Sequence, residues 1–337
     1  MEERRPLPTV LITPESLIGV CGPWVAMLEE AGFTIQYPED SKFTRGLGSA
    51  EETIRVLSGA SAVIAGGEYL TASVIARLPK LRVIARSGVG YDRVDVAAAT
   101  ARGILVTITP TANHESVAEQ TFALLFAVAK GVVVNDIRTR AGGWAKQATQ
   151  PIRGKTLGIF GLGRIGRSTA VRGRAMRMNV IATEKYPDEL FVQEHGIELV
   201  NFETLLARSD FLSIHCPLNK ETDRLFDRTV FSRMKEGSVL LNTARGGIVV
   251  EADLIEALTQ GPVAGAGLDV FEREPASADN PLFRLENVVV SPHLGGADTL
   301  AQRDMAIEAA ECIIKLSRGQ WPAGAVVNDP LRAHWKW

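Results

Sequence analysis

Short apolar runs separated by stretches of helical periodicity constrain this chain more than any other feature. The runs fall at residues 10–13, 62–65, 82–86, 104–108, 156–160, 179–183, 211–215, 238–243, 265–270 and 287–291. They are apolar nearly throughout instead of alternating with polar residues, the pattern of strands covered on both faces. Helical patterns lie between them, as at 95–101, 252–259 and 299–316. Strand–helix alternation of this kind predicts an α/β protein of doubly wound parallel sheets with helices on both faces. A chain of 337 residues exceeds what one hydrophobic core usually serves, so two domains are expected.

Two segments read as seams. Residues 114–130, HESVAEQTFALLFAVAK, are apolar on most sides and predict a helix buried between layers, domains or subunits. Residues 298–316 predict a second linking helix, with Asp298 as N-cap and Gly319 as terminator. One domain then comprises residues 1–114 and 299–337, and the other residues 115–298, so the chain crosses twice.

Composition narrows the function classes. The formal net charge of −2 gives no general attraction to nucleic acid or anionic membrane. The three cysteines, Cys21, Cys216 and Cys312, lack metal-ligand spacing and suggest no disulfide framework. They read as small buried residues of a protein in a reducing compartment, with no metal. The N-terminus is charged and is followed by no long apolar stretch, and no segment approaches a membrane span. A cytoplasmic enzyme is expected.

The clearest local motif is TLGIFGLGRIGRSTA, residues 156–170, where a strand runs into Gly161-Leu162-Gly163-Arg164-Ile165-Gly166 and then a helix. Gly161 permits a tight turn, Gly163 lets backbone approach a pyrophosphate, and Gly166 allows close helix–strand packing. The helix start at Arg164 and Ile165 offers free N–H groups and a positive dipole end to phosphates. Glu184 ends the next strand and fills the place of the acid expected ~20 residues on, where it accepts the ribose hydroxyls. That carboxylate repels a 2′-phosphate, so NAD is expected over NADP. Lys185 beside it would soften the preference.

Three later strand ends carry reactive side chains. LLNTARGGIVV (240–250) supplies Arg245, whose guanidinium can grip a carboxylate and polarise a neighbouring carbonyl. GAGLDVFEREP (265–275) supplies Asp269, Glu272 and Glu274, and VVVSPHLGG (288–296) supplies His293. Hydride transfer at C2 of a 2-keto acid needs a proton donor, and histidine is the side chain suited to it near neutral pH. A carboxylate behind the ring would fix its tautomer and stabilise the imidazolium.

Together, RSGVGYDRVDVAAATARGI (86–104), NHESVAE (113–119), GKTLGIFGLGRIG (154–166), HCPLNKET (215–222), LLNTARGGIV (240–249), GAGLDVFEREP and SPHLGG (291–296) resemble the D-isomer-specific 2-hydroxyacid dehydrogenase family over nearly the whole length. The resemblance implies two Rossmann-like domains, with the NAD-binding domain inserted into a flavodoxin-like substrate domain. It implies Arg245 on the substrate carboxylate and keto oxygen, His293 as general acid/base, and Glu274 as its partner. Val89 and Gly90 would hold the carboxylate through backbone N–H groups, with Asn113 at the cleft. Asp269 would contact the nicotinamide carboxamide beside Thr243 and Ala244. His215, Cys216 and Pro217 would line the adenine side, with Thr222 near the phosphates. It also implies a homodimer formed through the cofactor domain, burying the 114–130 helix and the arm around Trp144.

Substrate choice turns on the loop AVIAGGEYLT (62–71). Phosphoglycerate dehydrogenases carry arginines where Ala65 and Gly67 stand here, and Glu68 would repel a phosphate. A short unphosphorylated substrate such as glyoxylate or hydroxypyruvate is therefore expected, although Arg86 or Lys42 could bring charge from elsewhere. With the chain stopping at Trp337, no added regulatory domain is expected. Trp335 and Trp337 either pack on a neighbour or hang free. The alternatives are a phosphoglycerate dehydrogenase, a formate dehydrogenase, against which Glu274 argues because glutamine is usual there, and a dinucleotide-gated corepressor without enzymatic activity.

Overall fold

The computed structural model describes residues 7–40, 43 and 45–337. Lys42, one of the expected sources of positive charge, lies outside the described residues. The chain divides into two compact units, one of residues 1–113 with 296–337 and the other of 114–295.

The first unit holds β1 (Thr9–Ile12), β2 (Thr34–Gln36), β3 (Ala62–Ala65), β4 (Val83–Arg86) and β5 (Leu105–Thr107) in one parallel sheet of order β2-β1-β3-β4-β5. Successive strand residues point to opposite faces. Val10, Ile12, Ile64 and Ala85 enter one core layer with the helices Pro23–Glu30 and Thr299–Ser317, while Leu11, Val63, Ile84 and Val106 enter the other. Asp298 caps the Thr299–Ser317 helix by accepting from Ala301 N–H at 2.7 Å, and Gly319 turns the chain out of it at φ +70°.

The C-terminal segment then runs antiparallel beside β5, bridging Val326 to Thr107. Buried Asn328 acts there as a stand-in for backbone. Its Oδ1 accepts from Val106 N–H at 2.9 Å, and its Nδ2 donates to Ile104 O at 2.8 Å. The two terminal tryptophans pack on their own unit. Trp335 Nε1 donates to Gly103 O at 2.9 Å, and Trp337 meets Phe33 edge to face at 5.4 Å.

The second unit holds β6 (Thr156–Phe160), β7 (Asn179–Thr183), β8 (Glu198–Leu199), β9 (Phe211–Ile214), β10 (Ser238–Asn242), β11 (Val263–Leu268) and β12 (Val288–Val290). All are parallel, in the order β12-β11-β10-β9-β6-β7-β8. The expected 114–130 helix forms as His114–Lys130 and buries Val117, Phe122, Leu124 and Leu125. Among the described residues no single helix is long and apolar enough to cross a membrane. His114–Lys130 and Val132–Arg140 reach that length only together, bent by 57°. Of the three cysteines, all unpaired, Cys312 is buried and Cys216 partly so, but Cys21 is exposed, contrary to the expectation of burial. It lies in the irregular segment that enters the Pro23–Glu30 helix, where no strand or helix face draws it inward.

Candidate active site

The register of the second unit lines up its strand ends. Val290 pairs with Leu268, Leu268 with Asn242, Asn242 with Ile214, Ile214 with Phe160, and Phe160 with Thr183. Each residue closes its strand, so the segments that follow share one carboxyl edge. Strand order reverses between β6 and β9, and crevices of this kind take dinucleotides in open α/β sheets.

The glycine loop follows β6 at this crevice. Gly161 stands at φ +99°, and a Cβ there would lie 2.8 Å from Cys216 N and 2.9 Å from His215 C. A Cβ on Gly166 would lie 2.1 Å from Gly161 O, whereas one on Gly163 would meet nothing within 4 Å. Two glycines are therefore required by packing. The middle one leaves its approach open, ahead of the Arg164–Ala175 helix, whose start no side chain caps. The N–H groups of Arg164 and Ile165 begin that helix. These features fit a bound dinucleotide.

Glu184 folds toward this loop, its Oε2 accepting from Leu162 N–H at 2.7 Å and its Oε1 from Tyr186 N–H at 3.0 Å. Each oxygen keeps a further lone pair. Lys185 turns to Glu221, 3.3 Å away, and does not screen Glu184. Arg167, which sequence reasoning missed, braces the loop from below. It donates to Leu162 O at 3.1 Å and to Asp188 Oδ2 at 2.8 Å, and stacks on Phe191.

After β9, burial pushes the His215 imidazole down to about 3, so the ring is neutral. Its Nε2 sits 2.8 Å from Ser213 Oγ, and its Nδ1 is enclosed without a partner. Burial likewise pushes the Cys216 thiol up to about 12, leaving it an inert apolar wall beside Pro217. The Thr222 hydroxyl, expected near the phosphates, also braces its own turn. It donates to Pro217 O at 2.6 Å and accepts from Asn219 N–H at 2.9 Å, because the turn needs both bonds.

Arg245 follows β10. Asn242, also missed in sequence, folds the intervening turn: its Nδ2 donates to Arg245 O at 2.9 Å and its Oδ1 accepts from Ala244 N–H at 3.0 Å. Thr243 is buried, its hydroxyl 2.9 Å from that of Thr121. Arg245 Nη1 rests on Ala244 O at 2.7 Å. Next to it, Gly246 is pressed against the segment after β11, where a Cβ would lie 1.9 Å from Phe271 C and 2.0 Å from Phe271 O. Three residues past Phe271, Glu274 accepts Phe271 N–H through Oε1 at 3.2 Å, and its Oε2 lies 2.8 Å from His293 Nδ1. An ionised carboxylate only accepts, so Nδ1 carries the proton. Nε2 makes no hydrogen bond among the described residues, and the histidine side chain is 45% exposed against 18% for Glu274. Contacts thus run in sequence from the Arg245 turn through Phe271 to Glu274 and His293.

Asp269 is held within its own loop. It is 1% exposed, and its carboxylate is taken by Ser291 Oγ at 2.6 Å, Leu294 N–H at 2.8 Å and Gly295 N–H at 2.8 Å. Its backbone O also accepts His293 N–H at 2.8 Å. A buried carboxylate must be satisfied by donors. These donors come from the His293 loop, so Asp269 builds the loop that holds His293 at φ +57°.

In the first unit, Val89 and Gly90 follow β4 with Val89 37% exposed, and their N–H groups make no hydrogen bond among the described residues. Asn113 Oδ1 is buried without a partner. The 66–69 loop departs from expectation. Glu68 does not project to repel an anion: it is 1% exposed, 2.7 Å from Thr13 Oγ1 and 2.9 Å from Gly66 N–H. Arg86 donates to Gly66 O and Gly90 O, and Arg93 to Gly67 O with Tyr69 stacked on its guanidinium. Two guanidiniums therefore rest on the backbone carbonyls of this loop.

The fold and strand-end residues define a dinucleotide-binding α/β protein of the dehydrogenase kind. Residues 122–295 match the model for the D-isomer specific 2-hydroxyacid dehydrogenase NAD binding domain, and the chain belongs to that family. It is 41% identical over 285 residues to a D-3-phosphoglycerate dehydrogenase of Archaeoglobus fulgidus, covering 84% of this chain and 54% of the relative. A glyoxylate reductase of Korarchaeum cryptofilum is 43% identical, covering 78% of this chain and 81% of the relative. A solved Thermus thermophilus structure superposes with a TM-score of 0.83 at 35% identity, covering 95% of this chain and all of that one. The chain spans about half the length of the D-3-phosphoglycerate dehydrogenases it matches.

Proposed function

We propose that the protein is an NAD-linked dehydrogenase that interconverts a small 2-keto acid and its D-2-hydroxy acid, acting as a cytoplasmic homodimer. The observation that carries this reading is the His293–Glu274 pair, with Nδ1 held at 2.8 Å and Nε2 uncommitted. When bound, the dinucleotide supplies the hydride. Arg245 binds the substrate carboxylate and polarises the C2 carbonyl, and the Val89 and Gly90 N–H groups assist at the carboxylate. Protonated His293 delivers the Nε2 proton to the carbonyl oxygen, and takes it back in the reverse direction. Glu274 stabilises the imidazolium and holds the tautomer. Glu184, with its remaining lone pairs, favours NAD over NADP.

Exposed Val132 (53%), Ile137 (62%) and Trp144 (81%) support an intersubunit arm, and three unpaired cysteines suit a reducing compartment. The substrate is short and unphosphorylated, as the absence of a cation on residues 65–69 themselves supports. A second reading, D-3-phosphoglycerate dehydrogenase, is favoured by Arg86 and Arg93 at that loop.

NADH oxidation with glyoxylate, hydroxypyruvate and 3-phosphohydroxypyruvate tests the assignment. Faster turnover of either unphosphorylated acid supports the first reading, and preference for the phosphorylated acid supports the second. Flat traces with all three would overturn the enzymatic assignment in favour of a dinucleotide-gated binding module.

A further inference from the structure

The C-terminal segment encloses a pocket that the dehydrogenase chemistry does not use. It lies at the amino edge of the five-stranded sheet, since Phe33, Arg82 and Gly103, which the tail touches, precede β2, β4 and β5. The Val89–Gly90 loop lies at the other end of β4, about 13 Å away for four residues at about 3.3 Å each. The pocket has a volume of about 520 Å³, within the range of small-molecule sites.

Three indoles border it. Trp335 and Trp337 meet edge to face at 6.1 Å. The Trp335 N–H is taken by Gly103 O and the Trp321 N–H by Asp329 Oδ1 at 3.0 Å, so both rings offer carbon surface instead of donors. A planar apolar body suits such walls.

The charge around the pocket selects the sign of the ligand. Among the described residues, Arg332 and Lys336 are the charged side chains that line it. Arg332 lies over Trp321 at 5.8 Å. Behind the lining, Arg82 lies over Trp335 at 6.0 Å, and its buried Nε has no partner among the described residues. At the adjoining helix end the Ile314, Lys315 and Leu316 carbonyls are capped by Arg318, Gln320 and Gly319 N–H groups, which weakens the pull of that end on a cation. We propose that this indole-walled pocket binds a planar aromatic carboxylate, its ring on the tryptophans and its anion at Arg332 and Lys336.

The test is calorimetric titration of the full chain with 2-naphthoate, without and with saturating NADH. One site that NADH does not displace is expected. The uncharged 2-naphthalenemethanol and the double variant Arg332→Glu/Lys336→Glu should each weaken binding by roughly fivefold or more. Trp335→Leu should abolish it. The double variant changes only exposed side chains, and its NADH affinity reports that the fold is intact. Failure of 2-naphthoate to bind, its displacement by NADH, or unchanged affinity in the double variant would overturn the proposal.

Discussion

Gly246→Ala probes whether the Arg245 turn and the Glu274 segment act as one rigid unit. The added Cβ would sit 1.9 Å from Phe271 C, where carbon atoms ordinarily rest no nearer than 3.4 Å. Separating them moves one segment or the other by about 1.5 Å, and neither can yield cheaply. The obstacle is backbone on both sides, and the Gly246 segment is pinned by Asn242 while Phe271 N–H is held by Glu274. A displacement of about 1 Å in a positioned reactive group costs about 10²-fold in rate, so kcat/KM should fall by about that factor or more. Overpacking should also cost about 1–3 kcal/mol of stability. The NADH affinity should stay near wild type, because the glycine loop follows β6, two strands away from β10 in the sheet. Gly247→Ala is the control: the nearest neighbours of its Cβ would be side-chain atoms of Leu218 at 3.2 Å and Asp223 at 3.8 Å, and its effect should be small. The measurements are steady-state NADH oxidation with the preferred keto acid, NADH titration and thermal unfolding. A Gly246→Ala enzyme with wild-type kcat/KM would refute the coupling.

His293→Ala should lower kcat by about 10²–10⁴-fold while NADH binding persists; an unchanged kcat removes His293 from the proton path. Glu184→Ala should weaken NAD and narrow its advantage over NADP, and a constant preference ratio in paired NADH and NADPH assays would show that another group binds the ribose. Asp269→Asn places an amide NH₂ against the Ser291, Leu294 and Gly295 donors. It should therefore lower both kcat and melting temperature, and an unperturbed melting temperature would show that the loop holds without it. His215 is neutral in the fold, its value depressed to about 3 by burial, against about 6.5 in the unfolded chain. The stability it contributes is present above pH ~6.5 and is lost as pH falls from there toward 3, by at most about 1.4 kcal/mol per pH unit. His215→Gln should flatten the fall in melting temperature below pH 6.5; parallel curves for variant and wild type would exclude it.

Ten of the twelve strands among the described residues are legible in the sequence because they are apolar runs, most of them covered on both sides. The two that are not, β2 and β8, are the edge strands Thr34–Gln36 and Glu198–Leu199. They are short and partly exposed, so burial never imposes an apolar run on them. At the site, residue type reveals Arg245, Glu274 and His293, because few side chains can do their chemistry. It does not reveal which polar groups the backbone will claim. That Asp269 and Thr222 also brace their own loops is seen only once those turns are folded. Conversely Asn242 and Arg167 look ordinary until the loops they brace are folded. Glu68 misleads for the same reason, since its burial against Thr13 depends on two strands 51 positions apart.

The Asn328 clamp has a consequence for the order in which the molecule is made. Residues 114–295 are contiguous and emerge as a complete unit. The strands that precede them are synthesised first, yet the edge of β5 and the core layer over β3 and β4 stay open until the Thr299–Ser317 helix and the 326–328 segment arrive. On the ribosome, the sheet of the first unit is begun before the inserted unit and completed after it, and its half-built edge must wait, exposed, for the segment that follows residue 295.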